Sequence, residues 1–142
     1  MSLEENKAIV RRYYEEALNE RNFSIMDETY AVDIVHHDPS NPKDIEGAAD
    51  LKQRFVQIIS GFPDLYYTID DMIAEGDKVV VRWRADLTHT GEFEGLPPTG
   101  KRAVVQGIFI HRLAGGKMVE DWALRDTLGL LQQLDVIPAR GD

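Results

Sequence analysis

Lys78-Val79-Val80-Val81-Arg82-Trp83-Arg84-Ala85-Asp86-Leu87-Thr88-His89-Thr90 alternates with a period of two. Val79, Val81, Trp83, Ala85, Leu87 and His89 fall on one side, and Val80, Arg82, Arg84, Asp86 and Thr88 on the other. This is the pattern of a strand with one face on a core, and it puts His89 on the core face. Upstream, Glu75-Gly76-Asp77 reads as a hairpin turn and Leu65–Ala74 as the preceding strand. Downstream, Gly91–Gly100 is a loop bearing Pro97-Pro98-Thr99-Gly100, and Lys101–Leu113 is a third long strand. Ala114-Gly115-Gly116 is a tight turn leading to a fourth strand, Lys117–Arg125. Asp126 or Thr127 can cap a closing helical turn that carries Leu128, Leu131 and Leu134.

Ahead of the strands the period is helical. Ser2-Leu3-Glu4-Glu5 matches a capping box, and Ile9, Val10, Tyr13, Tyr14, Ala17 and Leu18 then recur on one helix face. Ser24 is placed to cap a short second helix over Ile25–Tyr30, and Asp33–His37 is a brief extended piece. Asp38-Pro39-Ser40-Asn41-Pro42 cannot be helical. A third helix is expected from about Gly47 to Ser60, with Ala48, Leu51, Phe55, Ile58 and Ile59 as its stripe. Helices first and an antiparallel meander after them mean an α+β fold, a curved sheet closing over the N-terminal helices. No repeat or linker interrupts residues 1–142, which are expected to form a single domain.

Composition narrows the chemistry. The chain of 142 residues holds no cysteine, so disulfides, thiol nucleophiles and cysteine-based metal sites are excluded. Sixteen basic against 25 acidic residues give a net charge of −9, which argues against nucleic acid and favours neutral over anionic substrates. No apolar run is long enough to span a bilayer, and Met1–Ala8 is acidic, unlike a signal peptide. A cytoplasmic protein without membrane partners is expected.

The later strands are apolar on both faces. Val105, Gly107, Phe109 and His111 oppose Val104, Gln106, Ile108, Ile110 and Arg112. With helices for only one face, the second needs another cover, and a homodimer through the outer sheet face is the simplest. On the last strand, Val119, Asp121, Ala123 and Arg125 oppose Met118, Glu120, Trp122 and Leu124. If Arg82 and Arg84 face outward, Glu120 is their natural cross-strand partner. That parity turns Trp122 outward and Asp121 inward.

Taken in order, Gly61-Phe62-Pro63-Asp64-Leu65, Ala74-Glu75-Gly76-Asp77-Lys78-Val79, Thr88-His89-Thr90-Gly91-Glu92-Phe93, Pro97-Pro98-Thr99-Gly100-Lys101 and Gly116-Lys117-Met118-Val119-Glu120 form a recognisable series. With Trp122, Asp126 and Leu130-Leu131-Gln132-Gln133-Leu134, it resembles the SnoaL-like polyketide cyclase family over nearly the whole chain. The resemblance implies an NTF2-like, ketosteroid-isomerase-like cone: a curved antiparallel sheet around helices, with a deep pocket. It also implies an acidic residue on the last strand that removes a proton beside a carbonyl, so that the enolate closes a ring by aldol attack. Such a carboxylate needs an apolar pocket to raise its pKa toward neutrality, and a donor for the enolate oxygen.

Asp121 and Asp126 are the two candidates for that role. Asp126 matches an aspartate widespread in the family but competes as an N-cap. The family's acid falls close to Ala123, so Asp121, one step along the same face, must substitute or the reaction differs. His37 matches the family's His before Asp/Asn-Pro, and Asp38 fits the position of the ketosteroid isomerase base. Adjacent histidines on extended chain point to opposite sides, so His36 and His37 cannot both face the pocket readily; Asp38 can also form an Asx turn ahead of Pro39. His89 and His111 are further candidate proton donors. Trp83, Phe109 and Trp122 are candidate flat contacts for a ligand. No His-x-x-x-His or carboxylate triad suggests a metal, no phosphate loop or serine elbow occurs, and no cofactor is expected. The expectation is a cofactor-independent acid/base enzyme acting on a small hydrophobic carbonyl compound. An isomerase, hydrolase, dehydratase or other lyase using the same pocket, and a non-catalytic ligand-binding dimer module, are the alternatives.

Overall fold

The computed structural model describes residues 1–139. Helix α1, Leu3–Arg12, starts on the expected capping box: the Glu5 backbone N–H donates to Ser2 Oγ and the Ser2 N–H to the Glu5 carboxylate, each at 3.1 Å. Its axis continues through π-helical turns over Tyr13–Leu18, where the Asn19 N–H reaches back five residues to the Tyr14 carbonyl. The wider turn leaves Tyr13, Tyr14, Ala17 and Leu18 all buried, and such turns recur at functional sites. Helix α2 spans Phe23–Thr29. Its N-cap is Asn22 rather than Ser24, whose hydroxyl instead donates to Asn22 Oδ1.

Strand β1 covers Tyr30–His37, β2 Ile45–Glu46, and helix α3 Ala48–Gly61. Strands β3 (Tyr66–Glu75), β4 (Lys78–Thr88), β5 (Arg102–Ala114) and β6 (Lys117–Arg125) follow, and α4 (Thr127–Gln133) closes the fold. The sheet order is β2-β1-β6-β5-β4-β3. The meander β3 to β6 is antiparallel as expected, but β1 lies parallel beside β6, so the sheet is mixed. A hairpin cannot join parallel strands; α3 and the whole meander form the crossover between them.

Two bulges coil the sheet, one leaving Asp70 unpaired in β3 and one leaving Val119 unpaired in β6. The second overturns strict alternation along β6. Met118 is fully buried on the same side as Asp121, not outward with Glu120 and Trp122. The concave face then packs Val79, Val81, Trp83, Ala85, Val105 and Phe109 against the buried stripes of the helices. Asn19 fixes the end of the first helix to β3: its side chain donates to the Tyr67 carbonyl and accepts from the Tyr67 N–H.

On the convex face, Arg82 and Arg84 pair with Asp71 and Asp70 of β3, at 2.6 and 3.3 Å, not with Glu120. Strand β5 stands between β4 and β6 and puts Glu120 out of their reach. Glu120 instead takes Arg112 at 3.1 Å and His37 at 2.7 Å. Among the described residues no helix is long and apolar enough to cross a membrane.

Candidate active site

Register brings the polar centre together. His36 of β1 is opposite Asp121 of β6, and Asp121 is opposite His111 of β5, so one row crosses three strands. All three side chains are buried, Asp121 at 2% exposure. Asp121 Oδ1 lies 2.6 Å from His111 Nδ1, and Oδ2 lies 3.2 Å from His36 Nδ1. A carboxylate only accepts, so both Nδ1 atoms carry the hydrogen. In the neutral form of each ring Nε2 is then bare. That of His111 accepts from the Tyr14 hydroxyl at 2.8 Å. That of His36 has no partner among the described residues, and His36 lines a cavity.

The cavity has two chambers. The smaller, about 40 Å³, is bordered by Tyr13, Tyr14, Tyr30, His36, Asp38 and Phe109. The larger, about 80 Å³, is bordered by Phe62, Leu65, Trp83, Leu87, Val105 and Leu130. Arg54, Ile58, Tyr67 and Arg125 belong to both. Burial pushes the Tyr13, Tyr14 and Tyr30 phenols far up, so they stay protonated. Tyr13 and Tyr30 hydrogen-bond to each other, which uses one of their two hydrogens and leaves the other as a donor.

Electrostatics reverses one expectation. Burial alone pushes the Asp121 carboxyl up, but the charge that His111 carries when protonated and its hydrogen bond, followed by the hydrogen bond and charge of His36, outweigh it and hold the group down to about 2. The carboxylate is thus ionised and fully engaged, not raised toward neutrality. Asp38 is also held below its usual range: burial raises it, while the Arg125 charge and two hydrogen bonds from Ser40 lower it further. Its carboxylate lies 3.1 Å from Arg125 Nη2. The Asx turn onto Ser40 and the place at the cavity are both real, and Asp38 combines them.

The sequence-derived candidates therefore divide. Asp121, His111, Asp38, Phe109 and Trp83 are at the interior around the cavity; His37, Trp122 and Asp126 lie outside it, and His89 is buried but away from the cavity. His37 faces outward, clasped between Asp44 at 2.9 Å and Glu120, with Trp122 stacked on its ring at 5.5 Å. Trp122 consequently covers the convex face and borders neither chamber. Asp126 is exposed and caps α4 by accepting from the Gly129 N–H at 2.8 Å. His89 is on the concave face as alternation required, but packs under Phe62 beyond the cavity and bonds Thr99 at 3.1 Å. His36, Tyr14 and Arg125 are the residues missed. Alternation of Ile34, His36 and Asp38 against Val35 and His37 could have identified the inward histidine.

With the geometry in hand, comparison places the chain among known proteins. Its cone of helices in a curved sheet is the NTF2-like fold, and the model of the SnoaL-like polyketide cyclase family matches residues 8–134. The chain belongs to the SnoaL-like polyketide cyclase family. It is similar to AclR of Streptomyces galilaeus, proposed to be a hydroxylase, at 30% identity and a TM-score of 0.87 over 99% of this chain and 87% of that one. A proposed SnoaL-like polyketide cyclase from Jannaschia sp. CCS1 gives 26% identity and a TM-score of 0.87, covering 95% and 94%. TsrD of Streptomyces laurentii gives 27% identity and a TM-score of 0.86, covering 96% and 99%. A search of curated proteins finds no sequence match.

Proposed function

We propose that the protein is a cofactor-independent acid/base enzyme that removes a proton beside the carbonyl of a small hydrophobic compound, in an aldol-type cyclisation. The observation that carries this reading is the His36–Asp121–His111 row, whose His36 ring borders a cavity walled mainly by aromatic and aliphatic side chains together with Asp38, Arg54 and Arg125. His36 Nε2 takes the proton. Asp121 fixes the tautomer that leaves this nitrogen bare, and stabilises the imidazolium that forms. His111 and Tyr14 hold Asp121 from its other side and are positioning residues. The spare hydroxyl of the Tyr13–Tyr30 pair supplies a donor for the enolate oxygen. Relative to the family's acid on the last strand, base duty passes from the carboxylate to the imidazole it supports.

The test needs no knowledge of the natural substrate. β-Tetralone, a hydrophobic ketone with an activated α-hydrogen, is followed by NMR as it exchanges in deuterium oxide. The protein accelerates exchange, and His36→Ala lowers the rate by about 10²–10⁴-fold, the usual worth of a positioned general base. His89→Ala and His37→Gln leave it unchanged. Tight binding of the ketone with no acceleration by the wild type would instead identify a ligand-binding module.

A homodimer through the convex face fits the same surface. Ile73, Val80, Ile110 and Trp122 form one apolar row across four strands, and Ile108 is directly opposite Leu124 at 50% and 64% exposure.

A further inference from the structure

A second row crosses the sheet beside the catalytic one. Trp83 of β4 is opposite Gly107 of β5, and Gly107 is opposite Arg125 of β6. All three positions face the concave side, and the middle one has no side chain. The Trp83 indole fills that space: a Cβ on Gly107 would stand 2.6 Å from its Cε2, the atom bonded to Nε1. Trp83 and Arg125 also meet over Phe109, with ring centroids of Trp83 and Phe109 5.3 Å apart and the guanidinium 5.3 Å above the Phe109 ring. The His36 ring is also 6.1 Å from Phe109, so the proton-transfer group and this row share one aromatic neighbour.

The Trp83 and Arg125 side chains each hold a buried donor, Nε1 and Nε respectively, without a hydrogen-bond partner among the described residues. The indole as a whole is 3% exposed, and both residues border the larger chamber. Buried N–H groups without acceptors are rare in folded proteins. An indole N–H can only donate, and Nε of a guanidinium likewise. The missing group is an acceptor, and one carbonyl oxygen has two lone pairs.

We propose that Trp83 Nε1 and Arg125 Nε form a subsite for a neutral carbonyl oxygen of a hydrophobic ligand, whose body fills the larger chamber. This rests on the reading of the cavity as a site for carbonyl compounds. It adds which atoms orient the ligand, and a preference for neutral over anionic groups. Neutrality follows from the surroundings. Arg125 is already balanced by Asp38, and Arg54 by Glu94 at 2.7 Å, while Asp121 keeps a carboxylate charge nearby. A ligand carboxylate would meet the three carboxylates of Asp38, Glu94 and Asp121, while both arginines are already paired. Phe62, Leu65, Leu87, Val105 and Leu130 give the rest of the ligand an apolar surrounding.

The experiment titrates nitrogen-labelled protein with β-tetralone, with tetralin, which lacks the oxygen, and with tetralin-β-carboxylate. It is done in His36→Ala, so that binding is read apart from proton transfer. The chain has two indole N–H signals, from Trp83 and Trp122, and Trp122 on the convex face serves as an internal reference. Expected is a downfield shift of the Trp83 indole signal with β-tetralone alone, and affinity for the ketone about tenfold above that for tetralin or the carboxylate. Trp83→Phe removes the N–H but keeps a ring, and lowers ketone affinity toward that of tetralin, with the Arg125 Nε donor left in place. Equal affinities for ketone and hydrocarbon, tighter binding of the carboxylate, no binding of any probe, or an unshifted Trp83 signal on binding would overturn the proposal. Ketone binding with an unshifted Trp83 signal leaves the acid/base reading standing. A wild type that shows the Trp83 shift without catalysing exchange removes that reading and keeps the subsite.

Discussion

His36 and His37 are joined by one peptide bond and have opposite surroundings. His36 donates to a buried carboxylate, while His37 is held between two surface carboxylates. The Glu120 hydrogen bond raises the His37 pKa, against a smaller lowering by burial, and Asp44 adds to the rise. A raised imidazole stabilises the fold fully below its unfolded value of 6.5, and that contribution is lost as pH rises through the higher folded value. An NMR titration is therefore expected to show His37 losing its proton above pH 6.5, and Glu120→Gln to move that midpoint down. Tyr14→Phe leaves His111 Nε2 buried without its donor; a cost of about 1–3 kcal/mol in denaturant unfolding is expected. The two histidines also mark where the sequence was hard to read. A resemblance in the His-Asp-Pro motif pointed to His37, whereas the alternation of Ile34, His36 and Asp38 along and just past β1, not used in the sequence reading, selects His36.

At the level of elements, the strand pattern was legible where hydrophobic contrast was strong, as along β4. It failed where the backbone adds a residue: the bulge at Val119 returns Met118 to the core, and no side-chain pattern signals that shift. The Arg82 and Arg84 partners were misassigned for a related reason, since strand order is decided by non-local pairing. By contrast, Gly107 carries information visible only in the fold. Gly107→Ala would force the Trp83 indole off its seat, with an expected loss of about 1–3 kcal/mol, as for other overpacked sites. Thermal unfolding of Gly107→Ala beside Gly95→Ala measures this, because a Cβ at Gly95 meets nothing within 4 Å. Gly95 has a positive φ of 80°, so its alanine variant reports backbone strain alone.

For the whole molecule, the acidic cysteine-free composition pointed to carboxylates and imidazoles as the groups able to do chemistry. What composition could not supply was their pairing, which arises from the β5–β6 register for His111 and from the parallel docking of β1 on β6 for His36. That pairing ties stability to pH. Because the Asp121 pKa is lowered from 3.8 to about 2, its contribution is present above pH 3.8 and is lost as pH falls through about 2. Asp121→Asn should show a smaller fall in stability over that interval than the wild type, measured by denaturant midpoints across acid pH. On the convex face, Ile108→Glu is expected to give a monomer by light scattering if two copies associate there. The central claim, that the proton leaves the ligand through His36, is tested most directly by chemical rescue. His36→Ala is assayed for α-hydrogen exchange of β-tetralone with increasing free imidazole. The account predicts a saturable recovery of exchange that is absent in the His36→Ala/Asp121→Asn double variant. Exchange by His36→Ala at the wild-type rate without imidazole would contradict it.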